Sequence, residues 1–196
     1  MSREYTLPAR LRLTVDHLNA VRTLDAYVRY GELEDDMRGL TEHLRQKLAS
    51  VLQPARWEGL YQSDRKLYSS PIDKPRWKVL RDDDCIALEI YLAEPVGEYE
   101  DDEEVGEPYV NLYVPPEWEK RVQFTDALKP EMPSGFQHVS EGEFTEETSI
   151  FTYIPYTHYA TDGIFDLSAF IDGFREAAAA LVKMESTVDS VLERLA

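Results

Sequence analysis

The chain is short of cysteine, glycine and uninterrupted apolar sequence, and over two long stretches it has no cationic side chain at all. Its 196 residues include one cysteine, Cys85, so an internal disulfide is excluded and a reducing compartment is expected. No window approaches the ~18 consecutive apolar residues of a membrane-crossing helix, and Met1 to Leu7 carries no apolar signal core. A cytoplasmic protein with no membrane partner is the expectation. Glycine occurs nine times with no Gly-Lys-Ser/Thr, which excludes a phosphate-cradling loop. No Gly-x-Ser-x-Gly is present, and Pro133-Ser134-Gly135-Phe136 reads as a loop rather than a nucleophile elbow. Lys and Arg are missing between Arg81 and Lys120 and again between Lys129 and Arg175.

What is there is acid. The formal net charge is −17, and it is not evenly spread. Residues 1–81 carry 15 Lys/Arg against 11 Asp/Glu, a balance of +4. Residues 82–174 carry 3 against 23, a balance of −20, and residues 175–196 carry 3 against 4. Adaptation to salt or a general need for solubility would spread acidity over every exposed face, including the terminal helices. The acidity sits instead in the middle. Direct binding of nucleic acid is excluded, because phosphate would be repelled by that segment.

Hydrophobic content of 43% and charged content of 30% suit one soluble globular domain with its own core, residues 1–196. Leu11, Val15, Leu18, Val21, Leu24 and Val28 recur at helical spacing, and so do Leu33, Met37, Leu40, Leu44, Leu48 and Val51 after the break at Gly31. Residues 1–53 therefore read as a helical hairpin. Residues 54–81 read as a basic and aromatic connector, with Trp57, Tyr61, Tyr68 and Trp77 as core anchors and the cations as partners of the acidic segment that follows. Residues 82–164 read as an antiparallel sheet. Ile86, Leu88, Ile90 and Leu92 alternate with Ala87, Glu89, Tyr91 and Ala93, and Val110, Leu112 and Val114 alternate with Tyr109, Asn111 and Tyr113. The connection between them is a long acidic loop. A short helix is expected over Glu117 to Leu128, and a further strand over Glu147 to Tyr156. Residues 165–196 read as one long helix, capped by Asp166 or Ser168, with Phe170, Phe174, Ala177, Leu181, Met184, Val188, Val191 and Leu195 on one stripe. The fold class is α+β, and a homodimer through residues 170–195 is one use for so long a stripe.

Catalytic chemistry finds little support. Cys85 opens an apolar strand, where a thiol is usually a small buried hydrophobe. His17, His43, His138 and His158 lie far apart, and no spacing among them or with Asp162 fixes a metal site. The acidic loop lacks the ligand spacing of a calcium hand. No catalytic residue, metal or cofactor is assigned. Pro71-Ile72-Asp73 followed by Leu88-Glu89-Ile90-Tyr91 resembles the acidic pattern of PD-(D/E)xK nucleases over about half the chain, but Tyr91 stands at the lysine position. That resemblance implies at most a degenerate nuclease-like fold.

A sheet with carboxylates and tyrosines turned outward suits protein recognition. Carboxylates imitate a phosphate track and steer a basic partner, and aromatic anchors supply affinity. The expected contact residues are Glu98, Glu100, Asp101, Asp102, Glu103, Glu104, Glu107, Tyr109 and Tyr113. The expected function is a non-catalytic, acidic protein-binding domain, an inhibitor, antidote or nucleic-acid mimic that engages a basic nucleic-acid-binding protein. The alternative is a structural subunit assembled through its C-terminal helix.

Overall fold

The structure is a computed structural model that describes residues 32–49, 57–62, 66–80, 85–92, 107–138, 150–161 and 164–196. The chain divides after Leu40, and residues 41–196 make one unit. The first helix of the expected hairpin, over Leu11 to Val28, lies outside the described residues. Its second helix is α1 (Glu32–Leu48), whose Leu44 and Leu48 are buried as the apolar stripe requires.

Six strands form one sheet in the order β1-β2-β3-β4-β6-β5, antiparallel throughout: β1 (Trp57–Gln62), β2 (Lys66–Pro71), β3 (Ala87–Tyr91), β4 (Tyr109–Tyr113), β5 (Gln137–His138) and β6 (Ile150–Tyr153). The strands expected at 86–92, 110–114 and 147–156 are β3, β4 and β6. The segment expected as a connector instead holds the hairpin β1–β2. Alternation is weak there because Ser69 and Ser70 are buried in positions where apolar residues would mark a strand; the Ser70 hydroxyl donates to the Ile86 carbonyl at 3.1 Å. Of the aromatics expected as core anchors, Trp57 and Trp77 are buried and pack edge to face at 5.6 Å, whereas Tyr68 is only half-buried.

One face of the sheet is apolar. Leu67 pairs with Ile90, Ile90 with Val110, Leu88 with Leu112 and Leu112 with Ile150, and all are buried. Each such side chain contributes about 1.5–3 kcal/mol through removal from water. Helix α3 (Leu167–Val182) covers β3 and β4 with Phe170, Phe174, Ala177, Ala178 and Leu181. Its start is the expected cap: Asp166 Oδ1 accepts the Ala169 N–H at 2.9 Å. Phe170 also gathers the following of β6, stacking with Tyr156 at 4.9 Å and meeting Tyr159 and Phe165 edge-on or tilted. Phe165 belongs to a two-stranded ribbon, β7 (Ala160–Thr161) with β8 (Ile164–Phe165).

The single C-terminal helix expected over residues 165–196 is two helices. The Met184 N–H reaches back only three residues, to Leu181 at 2.9 Å, and α4 (Glu185–Leu195) begins there. The break redirects the stripe. Its first half lies on the sheet, and Val188, Val191 and Leu192 turn toward α2 (Arg121–Leu128) and the 3-10 turn Pro75–Trp77. From Phe170 to Val191 the stripe is buried within this one chain, so a dimer is not needed to cover it. Helix α2 is shorter than the expected 117–128 element, with Trp118 packed on Phe124 just ahead of it. Among the described residues no helix is long and apolar enough to cross a membrane.

Candidate functional site

The second face of the sheet is built by the residues that alternate with the apolar ones. Register pairs Lys66 with Tyr91, Tyr91 with Tyr109 and Tyr109 with Tyr153, so these four side chains form a row across β2, β3, β4 and β6. The next row is Tyr68, Glu89, Asn111, Phe151 and Gln137, and Ala87 with Tyr113 follows. Aromatic contacts join the rows. Tyr91 and Tyr109 lie 4.9 Å apart with planes tilted by 31°, Tyr109 meets Phe151 at 6.3 Å and Tyr153 at 6.4 Å, and Tyr68 meets Tyr113 edge-on at 5.4 Å.

A carboxylate sits among these rings. Glu89 is 0% exposed, and its Oε2 accepts the Asn111 amide N–H at 2.6 Å. A short bond of this kind is what a buried carboxylate needs, because desolvating the charge is costly without a donor. Asn111 Oδ1 is buried with no hydrogen-bond partner among the described residues.

Of the expected contact residues, Tyr109 and Tyr113 lie half-buried on this face, opposite Val110, Leu112 and Val114. Glu107 is exposed immediately ahead of β4, at the end where the Ile154 N–H bonds to the Pro108 carbonyl at 2.7 Å. Glu98, Glu100, Asp101, Asp102, Glu103 and Glu104 lie outside the described residues. The acidic segment nevertheless has fixed attachments: it leaves β3 just after Tyr91 and enters β4 just before Tyr109, so both ends meet the aromatic row. Tyr153, 40% exposed, belongs to the row. Tyr156 and Tyr159, aromatic residues of the same segment, are packed on Phe170 instead.

Two cations of residues 54–81, Lys74 and Arg76, pair with α4 rather than with the acidic middle expected from sequence, while Lys66 lies over the Tyr91 ring within that middle. Lys74 pairs with Asp189 and Glu185, and Arg76 with Glu193 at 2.5 Å, all on α4. Hydrogen bonds from Lys74 to Asp189 and then to Glu185 hold its ammonium pKa above the ordinary lysine value. A shallow groove nearby, lined by Arg76, Trp118, Lys120 and Leu195, has both cations engaged, since Lys120 donates to the Leu195 carbonyl.

No metal centre assembles among the described residues. His43 and His158 are exposed, and His17 and Asp162 lie outside the described residues. His138 has a side chain only 4% exposed, with Nε2 3.7 Å from Asp126 Oδ1. Burial lowers its pKa, against the opposing pull of the Asp126 carboxylate. The two acids of the nuclease-like pattern part company: Glu89 is buried mid-strand opposite Tyr68, and Asp73 is exposed in the turn beyond β2. Cys85 is buried and bridges to Lys78 through the backbone. Compared with protein-family models, with curated proteins and with solved structures, the chain matches none.

Proposed function

We propose that this chain is a non-catalytic protein-binding domain whose acidic middle engages a basic partner, acting as an inhibitor, antidote or nucleic-acid mimic toward a nucleic-acid-binding protein. The observation that carries the reading is the attachment of the acidic segment to both sides of the Tyr91–Tyr109 pair. Carboxylates at that place steer a cationic surface toward the sheet, and tyrosines beside them supply buried area on contact. The 23 acidic side chains of residues 82–174 against 3 basic ones make the attraction long-ranged at low salt.

The test is a pull-down with the full chain at low and high salt, partners being identified by mass spectrometry. A variant with Glu100, Asp101, Asp102, Glu103 and Glu104 replaced by Lys is run beside it. Salt-sensitive capture of a basic protein that disappears with the variant supports the reading, and capture unchanged by charge reversal overturns it.

A further inference from the structure

One aromatic face in the sheet row already carries a cation. Lys66 Nζ stands 5.8 Å from the centroid of the Tyr91 ring. The row then continues ring by ring to Tyr109 and to Tyr153, which at 40% exposure is its open end. The Ile154 N–H donates to the Pro108 carbonyl at 2.7 Å, so Tyr153 and the exposed Glu107 each stand one residue from that bond, at neighbouring strand ends.

Resting on the acidic protein-binding reading above, we infer that Tyr109 and Tyr153, with Glu107, form a docking site for arginine side chains, so that the partner's recognised element is rich in arginine rather than lysine. The distinction follows from the chemistry of the two cations. A guanidinium is planar and weakly hydrated, and it lies on a tyrosine ring while its N–H groups remain directed at a carboxylate. An ammonium is compact and strongly hydrated, and it gives up more solvation to reach the same ring. The acidic segment attracts both without preference, so discrimination arises at the rings.

The experiment measures binding of fluorescently labelled oligo-arginine and oligo-lysine peptides of equal length to the full chain by anisotropy, at low and high salt. The expected result is tighter binding of the arginine peptide by about three- to fivefold, the size of one exposed cation–π contact. Tyr153→Leu should bring the arginine peptide to the affinity of the lysine peptide, and Tyr153→Phe, which keeps the ring, should retain the preference. Tyr153 is exposed, so neither change threatens the fold. Equal affinity for the two peptides overturns the inference and leaves the acidic-surface reading standing. A preference that survives Tyr153→Leu also overturns it. Failure of both peptides to bind overturns the acidic-surface reading and this inference together.

Discussion

The Trp77 indole N–H donates to Asp189 Oδ1 at 2.8 Å, and Lys74 bonds the other oxygen of the same carboxylate. One side chain of α4 thus ties down the turn that follows β2, at the place where Trp77 is itself buried against Trp57. Residues more than a hundred positions apart are joined there.

Asp189→Ala should destabilise the protein by about 1.5–3 kcal/mol, the worth of hydrogen bonds to a charged acceptor. The lower end is expected, because the Asp189 side chain keeps 29% exposure. Urea unfolding followed by tryptophan fluorescence measures it, and Asp189→Asn, which keeps an acceptor for the Trp77 indole, should cost less.

The Glu89–Asn111 pair predicts an asymmetry. Asn111→Ala removes one charge-assisted hydrogen bond from a fully buried carboxylate and should cost about 1.5–3 kcal/mol. Glu89→Gln keeps an acceptor for the Asn111 amide and should cost less. The two unfolding midpoints decide the order.

Gly173 predicts a steric effect. A Cβ there would stand 2.2 Å from Tyr159 Oη, and the Tyr159 ring is held against Phe170. Gly173→Ala should therefore lower the melting temperature although alanine is the better helix former by about 1 kcal/mol. Adding Tyr159→Phe removes the closest atom and should restore part of the loss in a double-mutant cycle.

His138 predicts a pH dependence. Burial lowers its pKa below the ordinary 6.5, so the folded protein holds it neutral while the unfolded chain takes up a proton. Its stabilising contribution is present above pH 6.5 and is lost as the pH falls through the lowered value. The difference in melting temperature between wild type and His138→Gln, recorded from pH 7.5 down to about 5, should shrink with acidification. A difference that grows would contradict it.

Alternation made β3 and β4 legible, because strands with one apolar face repeat every two residues whatever they pair with, and β6 was legible from its run of apolar and aromatic residues. The hairpin β1–β2 was not, since Ser69 and Ser70 are buried where apolar residues would mark a strand, and the bond from the Ser70 hydroxyl to the Ile86 carbonyl is not displayed in the sequence. The break at Met184 was hidden for a related reason. A stripe of 3.5-residue period continues through it, and only the change of packing partner, from sheet to α2, reveals the turn.

The sequence by itself determined where the charge lies, which residues alternate, and that a helix starts near Asp166 and Ser168, because each is a property of neighbours along the chain. Tertiary structure decided which tyrosines act together. Tyr109 and Tyr153 share a row while Tyr156 and Tyr159 fill the core around Phe170, and Lys74 and Arg76 answer α4 rather than the acidic middle. Register is set by pairing between distant strands, and a shift of one residue turns every side chain to the opposite face. A surface that depends on register is therefore written in the pairing of strands, not in any one of them.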